Sequence, residues 1–458
     1  MNNDNSILPS SFRDPAGFLF FRDRTLYRQI NTTYRDHYEL LNRSGLYNIL
    51  TVKKLLIPHD EVALPAEKPE TAFKIIKPRS IPFISYPYEW CFSQLKQAAL
   101  LTLEIQKISL EYCLTLKDAS AYNVQFLEGK PVFIDTLSFE RYEPGKPWIA
   151  YRQFCRHFLA PLALMQHTDI RLGQLFRTYI DGIPLDLASS LLPAKTWFNT
   201  GILMHIHLHA KSERKYADVH VTVQPREISK HSLLGLLDNL TTTIEKMQWL
   251  PEGTEWAGYY LDTNYSPEAF EHKKMIVTSY LETVNPKTVW DLGANNGFFS
   301  RIASEKGIFT LAFDIDPACV ELNYREIVQK NEPNLLPLLM DISNPSSGTG
   351  WQNEERSSLM DRGTADTVLA LALVHHLAIS NNVPLERIAE FFSKLCNSLI
   401  IEFVPKRDTQ VKKLLMNRKD IFGEYDTEHF EKSFNQYFTI EQKTLVNNSE
   451  RILYLYKK

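Results

Sequence analysis

From about residue 285 to the carboxyl end, short β-branched or apolar runs alternate with helical patterns, and this alternation constrains the fold more than any other feature of the chain. TVWDL precedes a helix beginning at Gly297, FTLAFDI a helix from Pro317, and LLPLLMD the run TVLALAL; a helix from Leu385 and the run LIIEFV follow. Strands that take turns with helices lie parallel, because each helix carries the chain back to the same end of the sheet, so a doubly wound α/β sheet is expected. The last two runs, YFTIEQKTLV and RILYLYKK, are separated by NNSE, whose turn-forming residues predict an antiparallel hairpin that closes the sheet.

Length and composition set the frame around that sheet. A chain of 458 residues exceeds the roughly 100–200 that one domain holds, so two or three domains are expected. Its net charge of −3, with 44% hydrophobic and 23% charged residues, gives no sign of the basic surface that nucleic-acid binding requires. Cys91, Cys113, Cys155, Cys319 and Cys396 form no CxxC pair, which speaks against a zinc cage or disulfide framework and for a reducing compartment. MNNDNSILPSSF has no basic stretch leading into an apolar one, and the apolar run Thr367 to Ile379 is too short to span a bilayer. A soluble cytoplasmic protein without membrane insertion is expected.

Upstream of the sheet, Leu233, Leu236, Leu237, Leu240, Ile244 and Met247 follow helical spacing behind a Ser229 cap, and the helical pattern EHKKMIVTSYLETV leads into the first strand. The segment between Pro193 and Arg226, rich in His, Lys and Arg, reads as a seam. The expected organisation is an amino-terminal α+β domain over 1–195, a partly helical connector over 196–254 and an α/β domain over 255–458.

TVWDLGANNGFFSRIA carries the chemistry. Asp291 ending a strand, with Gly293 and Gly297 at the head of a helix, lets a backbone pass close under a ligand. A dinucleotide fingerprint wants glycine where this chain has Asn295, and a P-loop wants lysine where it has Phe298, so both phosphate-binding readings fail. Asp314 in FDIDP ends the second strand, where a carboxylate can accept from both hydroxyls of a ribose. Asp341 in LLMD ends the third strand, and DTVLALALVHHL supplies the fourth. Singly, the glycines serve a tight turn, Asp314 a helix cap and Asp341 a turn before Asn344 and Pro345. In this order at strand ends, they point to a nucleotide-like ligand.

The DxGxxxG form and this succession resemble the class I S-adenosylmethionine-dependent methyltransferases. DLGANNGFFS, LALALVHHLAISNNVPL and IIEFVPKRD look like the bacterial methyltransferases related to nodulation proteins. The resemblance implies a Rossmann-like seven-stranded methyltransferase sheet with S-adenosyl-L-methionine as cofactor. It implies Asp291, Gly293, Asn295, Asn296 and Gly297 at the methionine end, Asp314 on the ribose, Ile315 flanking the adenine, Asp341 at its amino group and Ala372 facing the methyl group. The acceptor stays open, with a small molecule or glycan-like compound expected rather than nucleic acid. A sensor that binds the same ligand without turnover is the competing reading.

Because the sulfonium already activates the methyl group, transfer needs an aligned nucleophile and removal of its proton. His375 and His376, just past strand four, and Glu402, in strand five, are the candidate catalytic residues. A paired His also serves as a packing element and Glu402 as a buried hydrogen-bond hub. TEWAGYYLDTNYS, with Trp256, Tyr259, Tyr260, Asn264 and Tyr265, is expected either to lid the pocket or to pack between domains.

In LKDASAYNVQFLEGKPVFIDTLSF, the spacing of Asp118, Asn123 and Asp135 resembles the catalytic loop and metal-binding aspartate of protein-kinase-like and aminoglycoside-phosphotransferase-like folds. FISYPYEW and a long helix ending at Leu116 fit the hinge leading to that loop. A glycine-rich loop and a VAIK lysine are missing, Arg28 with Glu39 as partner is the nearest substitute, and Lys117 stands where His is usual. The resemblance implies a degenerate kinase-like site at Asp118, Asn123 and Asp135 that recognises the acceptor. A bifunctional kinase and methyltransferase, or plain turn and cap residues, are the alternatives. His205, His207 and His209 in MHIHLHA alternate as on one strand face, but without a nearby carboxylate or cysteine they predict an exposed polar strand and no metal.

Overall fold

The computed structural model describes residues 5–216, 227–251, 266–416 and 418–458. Two compact units emerge, one of Met1–Leu250 with Gly348–Ser357 and one of Pro251–Ser347 with Ser358–Lys458. In this division the segment expected as a connector falls within the first unit through Leu250.

The first unit opens with an antiparallel sheet of β1 (Asn5–Ile7), β2 (Gly17–Arg22), β3 (Thr25–Asn31), β4 (His59–Val62) and β5 (Ala72–Pro78), in the order β1-β2-β3-β5-β4. GFLFFRDRTLYRQI makes the β2–β3 hairpin, turned by Asp23 and Arg24 at φ 49° and 61°. Tyr38 of α1 (Arg35–Arg43) packs with Ile30, Tyr34, Ile76 and Leu137 in one apolar cluster. The long helix α2 (Phe92–Glu111) stops short of Leu116, because Cys113 takes φ 58° and Leu114–Leu116 forms β6. Strands β7 (Val124–Leu127) and β8 (Lys130–Phe133) form a hairpin, and β9 (Phe139–Arg141) pairs with β6.

MHIHLHA is helical and not a strand, with Leu203–Leu208 forming a π-helical stretch. His205 is buried between Tyr151 Oη (2.7 Å) and Asn239 Oδ1 (2.8 Å), and His207 between Ser189 Oγ (2.8 Å) and Thr196 Oγ1 (2.9 Å). These partners, from other segments, let the imidazoles enter the interior, and a period-two pattern over five residues does not register them. Helix α3 (Lys230–Glu245) starts where expected, with Ser229 Oγ accepting from Ser232 N at 3.1 Å.

The second unit holds β10 (Thr288–Leu292), β11 (Phe309–Asp314), β12 (Leu335–Leu339), β13 (Ala365–Ala370), β14 (Cys396–Phe403), β15 (Thr439–Leu445) and β16 (Ile452–Lys457). Their order is β12-β11-β10-β13-β14-β16-β15, a seven-stranded Rossmann-like sheet. The first five are parallel, and the carboxyl-terminal hairpin inserts β16 antiparallel between β14 and β15. β13 and β14 are buried along nearly their whole length, as a sheet covered on both faces requires, whereas β15 at the edge has no fully buried position. Helix α4 (Pro267–Val284) is capped by Ser266 and ends at Asn285, whose φ of 49° breaks the helix. Its Val277, Tyr280 and Leu281 pack with Phe299, Leu369, Ile400 and Leu453. Helices α5 (Phe298–Ser304), α6 (Pro317–Lys330), α7 (Leu385–Leu395) and α8 (Thr427–Phe434) complete the layers. The chain enters at β10, builds out to β12 and crosses back to β13, which opens a crevice at the carboxyl ends of the strands.

Candidate active site

The turn from β10 into α5 is built from residues with positive φ: Gly293 (80°), Asn295 (51°) and Gly297 (82°). Gly293 and Ala294 both donate from their backbone N–H to the Phe313 carbonyl at 2.9 Å, which ties the turn to β11. Asp314 Oδ2 accepts from Asn295 N at 2.7 Å and Oδ1 from Asp316 N at 2.8 Å, so this carboxylate also fixes the glycine turn. A Cβ on Gly297 would lie 2.4 Å from the Asn323 side chain, which explains that glycine by contact with α6.

A cavity of about 350 Å³ opens at the crevice, lined by Asp291, Gly293, Asn295, Asp314, Ile315 and Asp341. Ala372, His375 and His376 line it beyond β13, with Ala372 held at φ 50°. Asn296 and Gly297 lie outside this lining. Asn296 contributes its carbonyl, which accepts from Arg301 Nη1 at 2.8 Å. Burial pushes the Asp291 carboxyl up to about 7, with Ser300 Oγ, donating to it at 2.6 Å, opposing the shift and Asp314 adding to it. Burial likewise pushes Asp314 up to about 6 against the hydrogen bonds from Asp316 and Asn295. Two enclosed carboxyls with such proton affinity make a wall that favours a cation.

Sequence reasoning missed Lys273. It projects from the buried side of α4, which also carries Ala269, Ile276, Val277 and Tyr280, and a lysine inside an apolar stripe is the signal that marked it. Lys273 lines the cavity, and its Nζ donates to Glu402 Oε2 at 2.7 Å and sits 4.8 Å from the Phe299 ring centre. Burial lowers the Lys273 ammonium and Glu402 opposes that. Arg451, 1% exposed, lies 3.7 Å from Glu402 Oε1 and donates from Nε to Asp408 Oδ2 at 2.7 Å. Glu402 is thus fully buried between two cations and does not itself line the cavity.

The rings of His375 and His376 lie 4.2 Å apart between centres. Burial pushes His376 down to about 4 and His375 well below its ordinary 6.5, with neighbouring Arg451 adding to both shifts. The expected lid residues Trp256, Tyr259, Tyr260, Asn264 and Tyr265 lie outside the described residues.

In the first unit, Asp135 accepts from Arg28 Nη1 and Ser138 Oγ, and from Leu137 N at 3.1 Å. Arg28 pairs with Asp135 and Asp14 rather than with Glu39, which pairs with Arg35 one helical turn away on α1 at 3.1 Å. Burial pushes Asp135 upward, yet Arg28 and Ser138 together hold it below the ordinary carboxylate value. Asn123 Nδ2 donates to Ser138 Oγ at 3.3 Å, and Asp118 accepts from Gln153 Nε2 at 2.8 Å. Among the described residues, no group of three His, Cys, Asp or Glu side chains is placed to hold a metal, and no helix is long and apolar enough to cross a membrane.

No protein-family model matches the chain. Among solved structures, magnesium protoporphyrin IX methyltransferase ChlM of Synechocystis PCC 6803 with bound SAH overlaps 44% of this chain and 93% of its own, at 18% identity and TM-score 0.31. The N-methyltransferase NodS from Bradyrhizobium japonicum WM9 overlaps 42% of this chain and 98% of its own, at 10% identity and TM-score 0.31. WbdD with a kinase inhibitor overlaps 43% of this chain and 42% of its own, at 14% identity and TM-score 0.31. Overlaps at such scores decide nothing about activity. Nodulation protein NoeA of Rhizobium meliloti strain 1021 is 34% identical over 455 residues, 98% of this chain and 95% of that protein. A match of that extent spans the glycine turn, both units and the closing hairpin, and the chain belongs to the family of nodulation protein NoeA.

Proposed function

We propose that the chain is an S-adenosyl-L-methionine-dependent methyltransferase acting on a small-molecule or glycan-like acceptor. The observation that carries this reading is the convergence of Asp291, Asp314 and Asp341, from the ends of three neighbouring strands, on one cavity beside a glycine turn that lacks a phosphate-binding pattern. The residues present fit that cofactor. Asp291 and Asp314 suit a ligand with cationic groups, Asp314 keeps lone pairs for ribose hydroxyls, and Ile315, 57% exposed, offers an apolar face to a base. Ala372, in a conformation costing about 1–3 kcal/mol for a residue with a side chain, marks a wall where backbone meets ligand. When bound, the cofactor supplies a methyl group made electrophilic by its sulfonium. The chain's own residues bind and orient it, exclude water and accept the acceptor's proton; that His375 and His376 line the cavity supports them for the last role, and that Glu402 accepts from Lys273 and lies off the cavity lining speaks against it.

With it we propose that 255–458 is the methyltransferase domain and that the amino-terminal domain has kinase-like ancestry. What supports the latter is the order β1-β2-β3-β5-β4, the long α2, and the β7–β8 hairpin with Asp118 and Asn123 before it and Asp135 after it. Arg28 already neutralises Asp135, so acceptor recognition is a better fit there than phosphoryl transfer. Mg²⁺-dependent ATP binding that Asp135→Ala abolishes would reverse this and make the protein bifunctional. Cysteines held as thiols suit a reducing cytoplasm. Calorimetry with S-adenosylmethionine on wild type, Asp291→Ala and Asp314→Ala tests the site, and tight binding unaffected by either change overturns it. Release of S-adenosylhomocysteine separates the enzyme from a sensor.

A further inference from the structure

His375 differs from the other fully buried histidines among the described residues. His205 and His207 have a partner on each ring nitrogen, and His157 accepts from Ala121 N. His375, 2% exposed and lining the cavity, has no hydrogen-bond partner at Nδ1 among the described residues. A buried polar atom that faces a cavity and has no partner among the described residues is placed to take one from a bound molecule. A neutral imidazole has one N–H and one lone pair, and an enclosed N–H without an acceptor is rarer than an enclosed lone pair without a donor, so Nδ1 is the lone-pair nitrogen. What it lacks is a donor.

Resting on the methyltransferase reading, we infer that His375 Nδ1 takes the proton of the methyl acceptor and that the accepting atom is a hydroxyl oxygen. A carboxylate brings no hydrogen and sets lone pair against lone pair. An aliphatic amine arrives chiefly as an ammonium ion, which has no lone pair for the methyl carbon until it loses a proton that an imidazole is too weak a base to take. A hydroxyl brings a neutral donor. A lone pair of its oxygen forms the new bond to the methyl carbon, the carbon–sulfur bond breaks with its electron pair going to sulfur, and the O–H proton passes to Nδ1. The products are a methyl ether, a neutral thioether and an imidazolium that returns its proton to water as product leaves. The positive charge leaving sulfur reappears on the ring, so the net charge of the cavity is conserved. An oxygen already bonding to carbon is far more acidic than a free alcohol, so a weakly basic imidazole suffices and is unprotonated beforehand.

The test uses the full chain as wild type, His375→Phe and His375→Asn. Calorimetry with S-adenosylmethionine is expected to give affinities within about threefold for all. No binding to wild type overturns the methyltransferase reading, whereas a loss confined to His375→Phe puts Nδ1 on the cofactor and overturns this assignment alone. A ¹⁵N-histidine spectrum, with the His375 signal identified by its absence in His375→Phe, is expected to show Nδ1 unprotonated, and a protonated Nδ1 overturns the proposal. Methyl-labelled S-adenosylmethionine is then incubated with fractionated bacterial extract. The label is expected to survive mild alkali, to leave as methyl iodide in hot hydriodic acid, to fall about 100-fold or more with His375→Phe and to recover in part with His375→Asn, whose Oδ1 accepts a hydrogen bond. Alkali-labile methanol, label resistant to both reagents, or an unchanged rate in His375→Phe overturns the proposal. Cofactor binding with no transfer to any fraction overturns both readings in favour of a sensor.

Discussion

Cofactor affinity is expected to depend steeply on pH, because the two carboxyls at the mouth of the glycine turn hold their protons unusually tightly. Asp291 titrates near 7 and Asp314 near 6, both through burial, and a cationic ligand prefers them ionised. Between pH 7.5 and 5.5 the ionised fraction of Asp291 alone falls about 25-fold and that of Asp314 about fourfold, so affinity for S-adenosylmethionine is expected to weaken about 100-fold over that range. Near pH 6.5 binding is expected to release about one proton. Calorimetry at several pH values, each in two buffers of different ionisation enthalpy, reads both quantities. Asp291→Asn is expected to bind more weakly at pH 7.5 and to keep only the Asp314 part of the slope. A change of affinity below about threefold over the range, or proton uptake in place of release, would refute the reasoning. For the ligand-free fold the sign is opposite. The folded Asp291 keeps its proton up to about 7 against an ordinary 3.8, so the folded state binds more protons than the unfolded one between those values. Its contribution to stability is present at low pH and is lost as pH rises toward 7.

Three further outcomes are expected. Glu402→Gln leaves Lys273 and Arg451 beside a neutral amide in a closed interior, and urea unfolding should show a loss of about 3–5 kcal/mol, while Lys273→Met combined with Glu402→Leu costs less. Gly297→Ala forces a Cβ against Asn323 at a φ of 82°, and a thermal melt should show a loss of about 1–3 kcal/mol, of which Asn323→Ala in the same chain recovers the steric part but not the backbone part. Arg28→Met strips Asp135 of its counter-ion, with an expected cost of about 3–5 kcal/mol that Asp135→Asn in the same chain largely relieves, read by denaturant unfolding.

Much of the second unit was legible residue by residue. TVWDL, FTLAFDI and LLPLLMD became β10, β11 and β12 because continuous β-branched and apolar runs bounded by turn residues specify buried parallel strands locally. Asp291, Asp314 and Asp341 were legible as a set because each closes such a run. MHIHLHA was not, since its alternation reflects partners at Tyr151, Ser189, Thr196 and Asn239 and not a strand. The apolar pattern runs on to Leu116, but helix α2 ends at Glu111, and Cys113 at φ 58° turns the chain.

The sequence by itself determined the sheet, its closing hairpin, the glycine turn and the placement of three carboxylates at strand ends, because periodicity and turn chemistry act between residues a few positions apart. Only the tertiary structure decided who pairs with whom. Lys273 meets Glu402 across 129 residues, and Arg28 meets Asp135 across 107 in place of the nearby Glu39. Among the described residues the His375 Nδ1 is buried without a partner. Such pairings are set by which charges packing removes from water together, and no local pattern records that.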